Sequence, residues 1–497
     1  MRSRGARAGI QALVCLAVMA LPGTAWGQTA DTILPVPSTP SIFTPDALSR
    51  SLANAASGVR FDLPQAQTTD PRRACDGCPI RRLWRPFLES IGVNVLYNGI
   101  NHARGHETSD VGPKTWWANM KAGFEWDLNY WRTNQFGHPY QGSNYYTAGR
   151  ANGMSFWEAS AVAAFGSATW EFYFESNRAS LNDFINTTIG GITLGEVMYR
   201  SAWLVRDPSK SKGRREVIAA MIDPMSGLER AMSGDWSRVA EKPKSVIPSS
   251  VSWRVEGGVL MNGTSLLQSV AAARPFVDAF VYYGDARAGR SRMPFEAFTL
   301  EIAAGDSLAH AQIHGRLFGS PFGKQDKYQF TIFQTYDFIQ NPAYDFGGQG
   351  FEAEVSTTRK IAGHWSAWLA GSGGATVLAA ANSVLQPTDG TILEPLSETR
   401  TYDYGPGARF GGVIEIHHKD FRVSKIDYQA YHVNVVDGTR ANHILQRLTA
   451  DVRVPLTREF AVGAMAEFFY RKAYFWANGT RTDESPQLRL FLVWSSK

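Results

Sequence analysis

The sequence predicts a mostly β protein, an antiparallel transmembrane β-barrel of roughly 10–14 strands, about 12, with an α-helical insert in its N-terminal half. The first observation is that apolar and polar residues alternate with period two from about Phe276 to Trp494. The second is that aromatic residues, 12% of the chain, recur near the ends of these segments. The third is an export signal at the N-terminus. Strands that face lipid on one side and a lumen on the other produce this combination.

The N-terminus has the features of a cleaved secretory signal peptide. A basic start without acids precedes an apolar stretch, Ala8–Leu21, and small residues follow at Ala25 and Gly27. These fit cleavage before Gln28. An apolar stretch of about 14 residues is too short for a membrane anchor, which needs about 20. We therefore expect a protein exported to the cell outer membrane.

The charge of the chain excludes a nucleic-acid partner. Residues 1–27 hold three arginines and no acid, so cleavage lowers the formal charge by three, from +5 to +2. No run of lysine or arginine follows. The mature sequence also lacks 18 consecutive uncharged apolar residues, which argues against a membrane-spanning helix.

Composition and periodicity divide the chain into five parts. The predicted parts are a signal peptide at 1–27, a flexible periplasmic tail at 28–85, a first strand (Ser90–Asn98) and loop at 86–114, a helical block at 115–240, and barrel strands at 241–497.

The C-terminal segments each have one apolar and one polar face. In one of them Phe298, Leu300 and Ile302 alternate with Thr299 and Glu301. A soluble periplasmic sandwich would alternate in the same way. The length of the array and its last strand close to the C-terminus favour the barrel, although the final residues lack the terminal aromatic typical of such barrels.

The polar faces carry many ionisable residues, which a barrel would direct into its lumen. We expect this lumen to receive the helical block through ion pairs. The predicted inward residues are His310, His314, Arg316, Glu352, Glu354, Glu415, His417, Asp451, Arg453 and Glu467.

Two cysteines lie outside the signal peptide, Cys75 and Cys78. An oxidising periplasm favours a local disulfide that closes the turn at Asp76-Gly77. A redox pair would normally open a helix, and a zinc site would need a second Cys-x-x-Cys, so we predict no metal and no cofactor.

The helical block contains several helix signals. Trp116–Phe136 has helical spacing, and Arg214–Ile222 should end at Asp223-Pro224. Helices should begin at three capping boxes, in which a hydroxyl and an acid three residues later bond each other's backbone amides. These boxes are Ser155 with Glu158, Ser180 with Asp183, and Thr193 with Glu196. An apolar stripe at helical spacing follows the first cap: Trp157, Ala161, Phe165, Ala168 and Phe172.

Short motifs in this block resemble an uncharacterised family of bacterial envelope proteins, known only as a domain of unknown function. The resemblance covers about residues 115–235 and implies no reaction. It rests on His138-Pro139-Tyr140, Arg150, Trp170-Glu171, Glu175, Asn182-Asp183, Gly190, Gly195-Glu196 and Asp223-Pro224-Met225.

A catalytic site in the block would use His138, Glu171 and Glu175. The two glutamates share a helix face at i, i+4, and with the histidine they could act as acid and base or bind a metal. Glutamates at this spacing are also common on solvated helices, and His138 fits a turn. Further candidates, for ligand binding, are Tyr140, Arg150, Asn182, Asp183 and Glu196. Arg150 could clamp a phosphate or carboxylate, or tie a loop to Glu158 or Glu171.

Two functions compete at this point. The first is an outer-membrane barrel with a helical plug or cap that binds or passes an envelope amphiphile or small molecule. The second is an outer-membrane hydrolase that acts on lipid or glycan, although the common hydrolase motifs are missing. The expected partners are outer-membrane lipid, a lipid or small-molecule ligand, and the barrel-assembly machinery.

Overall fold

The computed structural model describes residues 72–75, 78–127, 129–206, 213–236, 242–262, 273–287, 289–305, 308–383, 401–477 and 479–496. The predicted signal peptide and nearly all of the predicted periplasmic tail lie outside these residues.

Twelve strands close into an antiparallel barrel. Each strand pairs with its neighbours in sequence, and β1 pairs with β12 to close the sheet. The predicted fold class is therefore confirmed. The strands are β1 Val251–Asn262, β2 Arg274–Tyr283, β3 Phe298–Gly305, β4 Leu308–Phe322, β5 Tyr328–Gln340, β6 Asp345–Ala362, β7 Trp365–Asn382, β8 Tyr402–His418, β9 Phe421–Asn434, β10 Ala441–Pro455, β11 Phe460–Phe475 and β12 Gly479–Ser495.

Helices fill the described part of the chain before β1. They are α1 Arg85–Ala103, α2 Pro113–Ala122, α3 His138–Ala151, α4 Phe156–Thr169, α5 Leu181–Ile185, α6 Gly191–Val205, α7 Gly213–Ile222 and α8 Pro224–Met232. Three π-helical turns extend them at Thr133–Gly137, Trp170–Phe174 and Asn186–Gly190, and short 3-10 turns lie at Glu107–Ser109, Lys244–Val246 and Lys324–Asp326. We call residues 85–236 the helical block. No helix among the described residues is both long and apolar enough to cross a membrane.

The predicted first strand, Ser90–Asn98, is wrong, because this segment lies inside α1. Its buried residues include Ser90, Val93 and Asn94, at the three- and four-residue steps of a helix face. A short apolar run does not distinguish a strand from a helix by its periodicity.

Two of the three predicted caps are present. Ser155 Oγ accepts from Glu158 N while the Glu158 carboxylate accepts from Ser155 N, and Ser180 Oγ accepts from Asp183 N. The third is wrong, because Thr193 and Glu196 lie inside α6, where Glu196 makes side-chain ion pairs instead.

The helical prediction for Trp116–Phe136 holds only at its two ends. Helix α2 ends at Gly123, whose φ of +69° suits glycine, and helical structure resumes only at Trp131. Cys75 and Cys78 form a disulfide in the segment before α1.

The helical block packs against the outer face of the barrel. Asp337 on β5 points into the lumen, where it pairs with Arg409 of β8 at 2.6 Å. Its neighbour Tyr336 must point outward, because successive strand side chains alternate. The Tyr336 hydroxyl donates to the Gln135 carbonyl oxygen at 2.6 Å. The expectation that the lumen receives the helices is therefore wrong.

The contact extends from one rim of the barrel to the other. Arg200 of α6 donates to the hydroxyl of Tyr283, the last residue of β2. Asn134 donates at 2.6 Å to the hydroxyl of Tyr402, the first residue of β8. Because β2 and β8 run in the same direction, these contacts lie at opposite rims. Gly347 on β6 provides the space that the Gln135 side chain occupies.

Much of the remaining outer face exposes apolar side chains. Examples from strands on several sides of the barrel are Val259, Val277, Phe410, Ile414, Ile426, Leu448, Val452, Leu490 and Leu492.

Candidate functional site

The structure brings four of the eight predicted catalytic and binding residues into one buried group: His138, Glu171, Asn182 and Asp183. His138 begins α3, and its Nε2 lies 3.5 Å from Asp183 Oδ1. Its Nδ1 lies 3.4 Å from the hydroxyl of Thr187. Glu171 accepts from the Ser180 backbone N–H at 2.7 Å. We call these residues, with Asp127 and Asn182, the His138 cluster.

The three π-helical turns supply or adjoin this cluster. The first ends directly before His138, the second contains Glu171, and the third contains Thr187. A π turn displaces the residues that follow it around the helix, and such turns occur frequently at functional sites. Here they direct polar side chains into the helical core.

Burial and like charges control protonation in the His138 cluster. Burial lowers the pKa of His138 to about 4, against the opposing effect of Asp127, so this histidine is neutral at pH 7. Burial and neighbouring carboxylates raise the pKa values of Glu171 and Asp183 well above the usual range. Burial raises the pKa of the half-buried Glu175 to about 7, and Asp127 adds to this rise.

The cluster has the chemical parts of an acid–base relay in a buried setting. A hydroxyl, an imidazole and a carboxyl stand in the order Thr187, His138, Asp183, as in a catalytic triad. All three residues are at least 95% buried. They line neither the cavity beside Trp203 and Arg230 nor the one in the barrel lumen. Such complete burial is typical of side chains that stabilise a fold.

Replacing Glu175 by Gln should flatten the pH dependence of stability between pH 4.5 and 7. Glu175 has a raised pKa in the folded state, so folding takes up a proton in this window and stability falls as pH rises. The glutamine variant loses this contribution. Thermal unfolding in detergent, followed by far-UV circular dichroism across this range, measures the difference from the wild type.

The exposed Glu107 supplies the control for this measurement. A Glu107→Gln variant should keep the wild-type profile. Identical profiles for wild type and Glu175→Gln would contradict the raised pKa.

Arg150 and Glu196 belong to a second group, which we call the Glu196 cluster. Glu196 is fully buried and pairs with Arg150 at 2.9 Å and with Arg200 at 2.8 Å. It also accepts from the hydroxyl of Tyr146 at 2.8 Å. Arg200 connects this cluster to the barrel by donating a hydrogen bond to the carbonyl oxygen of Pro294, in the β2–β3 loop. The predicted ligand clamp is thus occupied by an internal carboxylate.

The remaining predicted ligand-binding residues are Asn182, which belongs to the His138 cluster, and Tyr140, which does not. Asn182 is fully buried and bridges to Asp127, donating to Oδ1 at 2.5 Å and accepting from its backbone N–H. Tyr140 stacks on Phe136, and its backbone carbonyl oxygen accepts from Ser143 and Asn144. Neither side chain faces a cavity among those described.

Sequence reasoning missed Asp127, Asn134 and Thr187. None of them stands in a recognisable motif, and each reaches the cluster through a turn or a π-helical insertion. Asn134 donates to Asp127 Oδ1 at 2.9 Å. The signal available in the sequence was the position of Asn134 between the aromatic residues Trp131 and Phe136.

The lumen of the barrel is filled near one rim by apolar side chains. Rings from strands on different sides meet there, for example Phe346 of β6 and Tyr431 of β9 at 4.2 Å. The β5–β6 turn adds Tyr344, which packs against Phe469 of β11. We call this cluster the luminal seal; its larger members are Leu260, Phe276, Leu308, Ile339, Tyr344, Phe346, Tyr431, Val433, Leu445, Phe469 and Phe491.

Charged side chains occupy the lumen beside the seal, as the alternation predicts. Arg453 of β10 pairs with Glu256 of β1 at 2.7 Å, so ion pairs connect strands that are not neighbours. Arg447 and Arg489 both bind Glu467. These pairs tie the walls of the barrel together through its interior.

A cavity of about 170 Å³ lies between this layer and the rim that carries the barrel's first and last residues. Tyr282, near the end of β2, and Arg422, near the start of β9, both line it. We call it the luminal cavity. Its charged and aromatic lining includes Arg287, Arg409, Lys425, Glu354 and Trp368.

One luminal group has the spacing of a metal site. The ligand atoms of Asp278, Glu301 and His310 lie within 4.8 Å of one another. No other group of three or more such residues in the described part of the chain has this spacing. Arg447 and Arg489 already supply positive charge to these carboxylates at 3.5 and 3.8 Å. The group is better matched to ion pairing than to a metal.

Solved structures similar to this chain are outer-membrane barrels, but the likeness is weak. The KdgM porin is 7% identical, with 48% of this chain and 98% of that one covered, at a TM-score of 0.22. The NanC porin is 9% identical, with 49% and 98% covered, at 0.23. The COG4313 outer membrane channel from Pseudomonas putida F1 is 9% identical, with 51% and 100% covered, at 0.22. Scores this low carry no argument about function.

A comparison with curated proteins finds no match. The resemblance of the helical block to a domain of unknown function, by contrast, is confirmed: residues 123–225 match the model of DUF3943.

Proposed function

We propose that this protein is a non-conducting outer-membrane barrel that binds a small polar molecule, or the polar headgroup of an envelope amphiphile, in its luminal cavity. The observation that carries this proposal is the luminal seal. A channel needs a continuous aqueous path, and here the ring of Tyr344, in the β5–β6 turn, packs against that of Phe469 on the opposite strand β11. Binding therefore fits the lumen better than passage.

The outer face of the barrel supports the membrane location. Outward side chains such as Phe410, Ile414 and Val452 are 43–59% exposed. Contiguous exposed apolar surface on a barrel wall would be unfavourable in water, and it matches the lipid-facing band of outer-membrane barrels. Inward charges with outward apolar residues also oppose the alternative of a soluble barrel.

The side chains that line the luminal cavity suit a ligand that carries one positive and one negative group. Arg287 lies 3.9 Å from the centre of the Trp368 ring and pairs with Glu415 at 2.7 Å. Its side chain is 42% exposed, so it can turn toward a ligand anion. Glu354 lies in the same lining and can receive a cation. A zwitterionic phosphate–ammonium headgroup has this pattern of charges.

Purified protein in planar bilayers should give no conductance steps. Truncating the seal in a Tyr344→Ala/Phe346→Ala variant should produce steps, because the two rings close the path through the lumen. A Phe351→Ala variant, which changes an outward residue, should stay silent. Conductance by the wild type at the level of an open porin would overturn the proposal.

Binding is tested with glycerophosphoethanolamine, the soluble form of such a headgroup. Calorimetry should detect binding that weakens about tenfold or more in Arg287→Gln, as expected for the loss of a charge-assisted hydrogen bond. Arg292→Gln, at an exposed residue of the same loop, should bind as the wild type does. Binding only to vesicles of intact phospholipid would identify the amphiphile rather than the free headgroup as ligand. Equal binding by both variants would exclude the cavity.

A further inference from the structure

The helical block has an unusual distribution of polarity. On α1, Leu88, Val95 and Leu96 are 55–61% exposed, whereas Ser90 and Asn94 on the opposite face are completely buried. Asn94 donates to the Gly166 carbonyl oxygen inside the block. A surface helix of a soluble protein normally places its apolar residues toward the core and its polar residues outside. Helix α1 instead buries these two polar residues beside Val93 and leaves large apolar residues outside.

Helices α7 and α8 likewise bury charged residues, beside the apolar Ala219, Ile222 and Met225. Their buried faces carry Glu216, Glu229 and Arg230. Arg230 pairs with Glu216 at 2.9 Å, and Arg85 pairs with Glu229 at 2.7 Å. Their exposed large apolar side chains are Val217, Met221, Leu228 and Met232.

Helix α4 is apolar on both faces. Phe156, Ala159 and Val162 are buried against the rest of the block. The apolar stripe noted in the sequence begins on the other side, where Trp157 is 64% exposed and Ala161 is also exposed.

Water is a poor solvent for this arrangement. In water, the exposed apolar side chains of four helices would be hydrated, which is unfavourable. The buried ion pairs would at the same time have lost their hydration, which is also unfavourable. A hydrocarbon environment reverses both costs, because apolar groups then need no cover and charges are best placed inside, paired with one another. Ionisable residues inside membranes follow that rule.

The position of the helical block on the barrel indicates which environment contacts its outward side. The block covers the barrel wall from rim to rim, between Tyr283 and Tyr402, on the face where a barrel meets lipid. The wall beside it remains apolar, and Phe351 on β6 is 41% exposed. The exposed apolar residues lie on several different helices, which a bilayer can cover together and a single flat protein interface cannot.

We propose that the outward side of the helical block is a lipid-contact surface covered by the acyl chains of outer-membrane lipids. The block then lies within the same bilayer as the barrel wall to which it is attached. This inference rests on the outer-membrane location in the proposed function. It extends that proposal by assigning the helical block to the lipid phase instead of the lumen or the periplasm.

The test measures lipid contact at single sites in the full chain. Cysteine is introduced at Val95 of α1 or at Leu228 of α8, labelled with an environment-sensitive fluorophore, and the protein is reconstituted with lipids brominated on their acyl chains. Val452 on the outer face of β10 serves as the lipid-facing reference. Arg458, exposed in the β10–β11 turn, serves as the aqueous reference.

Brominated acyl chains should reduce the fluorescence at Val95 and Leu228 to about the extent seen at Val452, with little loss at Arg458. Quenching at Val452 without quenching at Val95 and Leu228 would overturn the inference and leave the membrane location intact. Absence of quenching at Val452 would overturn the location, and the inference with it. Blue-shifted emission at Val95 that depends on protein concentration and not on brominated lipid would identify a second copy as the cover.

Discussion

Replacing Glu196 by Gln should destabilise the helical block by about 3–5 kcal/mol, the usual cost of removing one partner from a buried ion pair. The change leaves Arg150 and Arg200 buried without a counter-charge. Arg200 also bonds Tyr283 and Pro294 on the barrel, so attachment to the wall should weaken as well. Thermal unfolding in detergent by far-UV circular dichroism, together with limited proteolysis between block and barrel, measures both effects.

An exposed ion pair provides the comparison. Arg81 pairs with Glu158 at 2.7 Å, but about half of the arginine side chain is in contact with solvent. Arg81→Gln should therefore cost less than about 1 kcal/mol. If Glu196→Gln unfolded at the wild-type midpoint, the Glu196 cluster would not hold the block together.

Replacing Gly142 by Ala should have an effect of similar or larger size. A Cβ atom at this position would overlap the carbonyl oxygen of Thr187, and Gly191 of α6 lies directly beside it. Backbone atoms cannot move aside as a flexible side chain can, so α3 must separate from the α5–α6 helix. Overpacking commonly costs about 1–3 kcal/mol, and a backbone overlap should exceed that range. The separation should also distort the His138 cluster, which lies between these helices.

Gly92 is the matched control, because it lies in a helix and nothing stands within 4 Å of its added Cβ. Gly92→Ala should be neutral or stabilise the protein by up to about 1 kcal/mol, the helix preference of alanine over glycine. The same unfolding measurement applies to both variants. A Gly142→Ala protein with wild-type stability would show that the helix contact is looser than the structure indicates.

Local sequence patterns predicted the barrel well because alternate residues of each strand face either the apolar exterior or the polar lumen. The alternation of Leu448 and Val452 with Asp451 and Arg453 follows from a wall that separates an apolar exterior from a polar interior. The caps at Ser155 and Ser180 were equally readable, because a cap is made within four residues. Thr193 and Glu196 have the same spacing, yet both lie inside α6. There Glu196 pairs with Arg150 of α3 and with Arg200 one turn along its own helix.

The candidate site could be predicted only in part. His138, Glu171 and Asp183 were singled out by type and spacing, and they do meet. Thr187 and Asp127 were missed because π-helical turns and a loop bring them in. Arg150 of α3 does not join this group because it pairs with Glu196 of α6 instead.

By itself, the sequence determined the strand array, its closed architecture and the direction of its polar faces, because period two is a local property of each strand. Only the tertiary structure decided which surface the helical block covers. Helix-forming segments specify which residues share a face, but they do not specify whether lipid, water or protein contacts that face. The long-range contacts of Tyr336, Tyr402 and Arg200 place the block on the outer wall, and the inward rings of Phe346 and Tyr431 close the lumen that was expected to receive it.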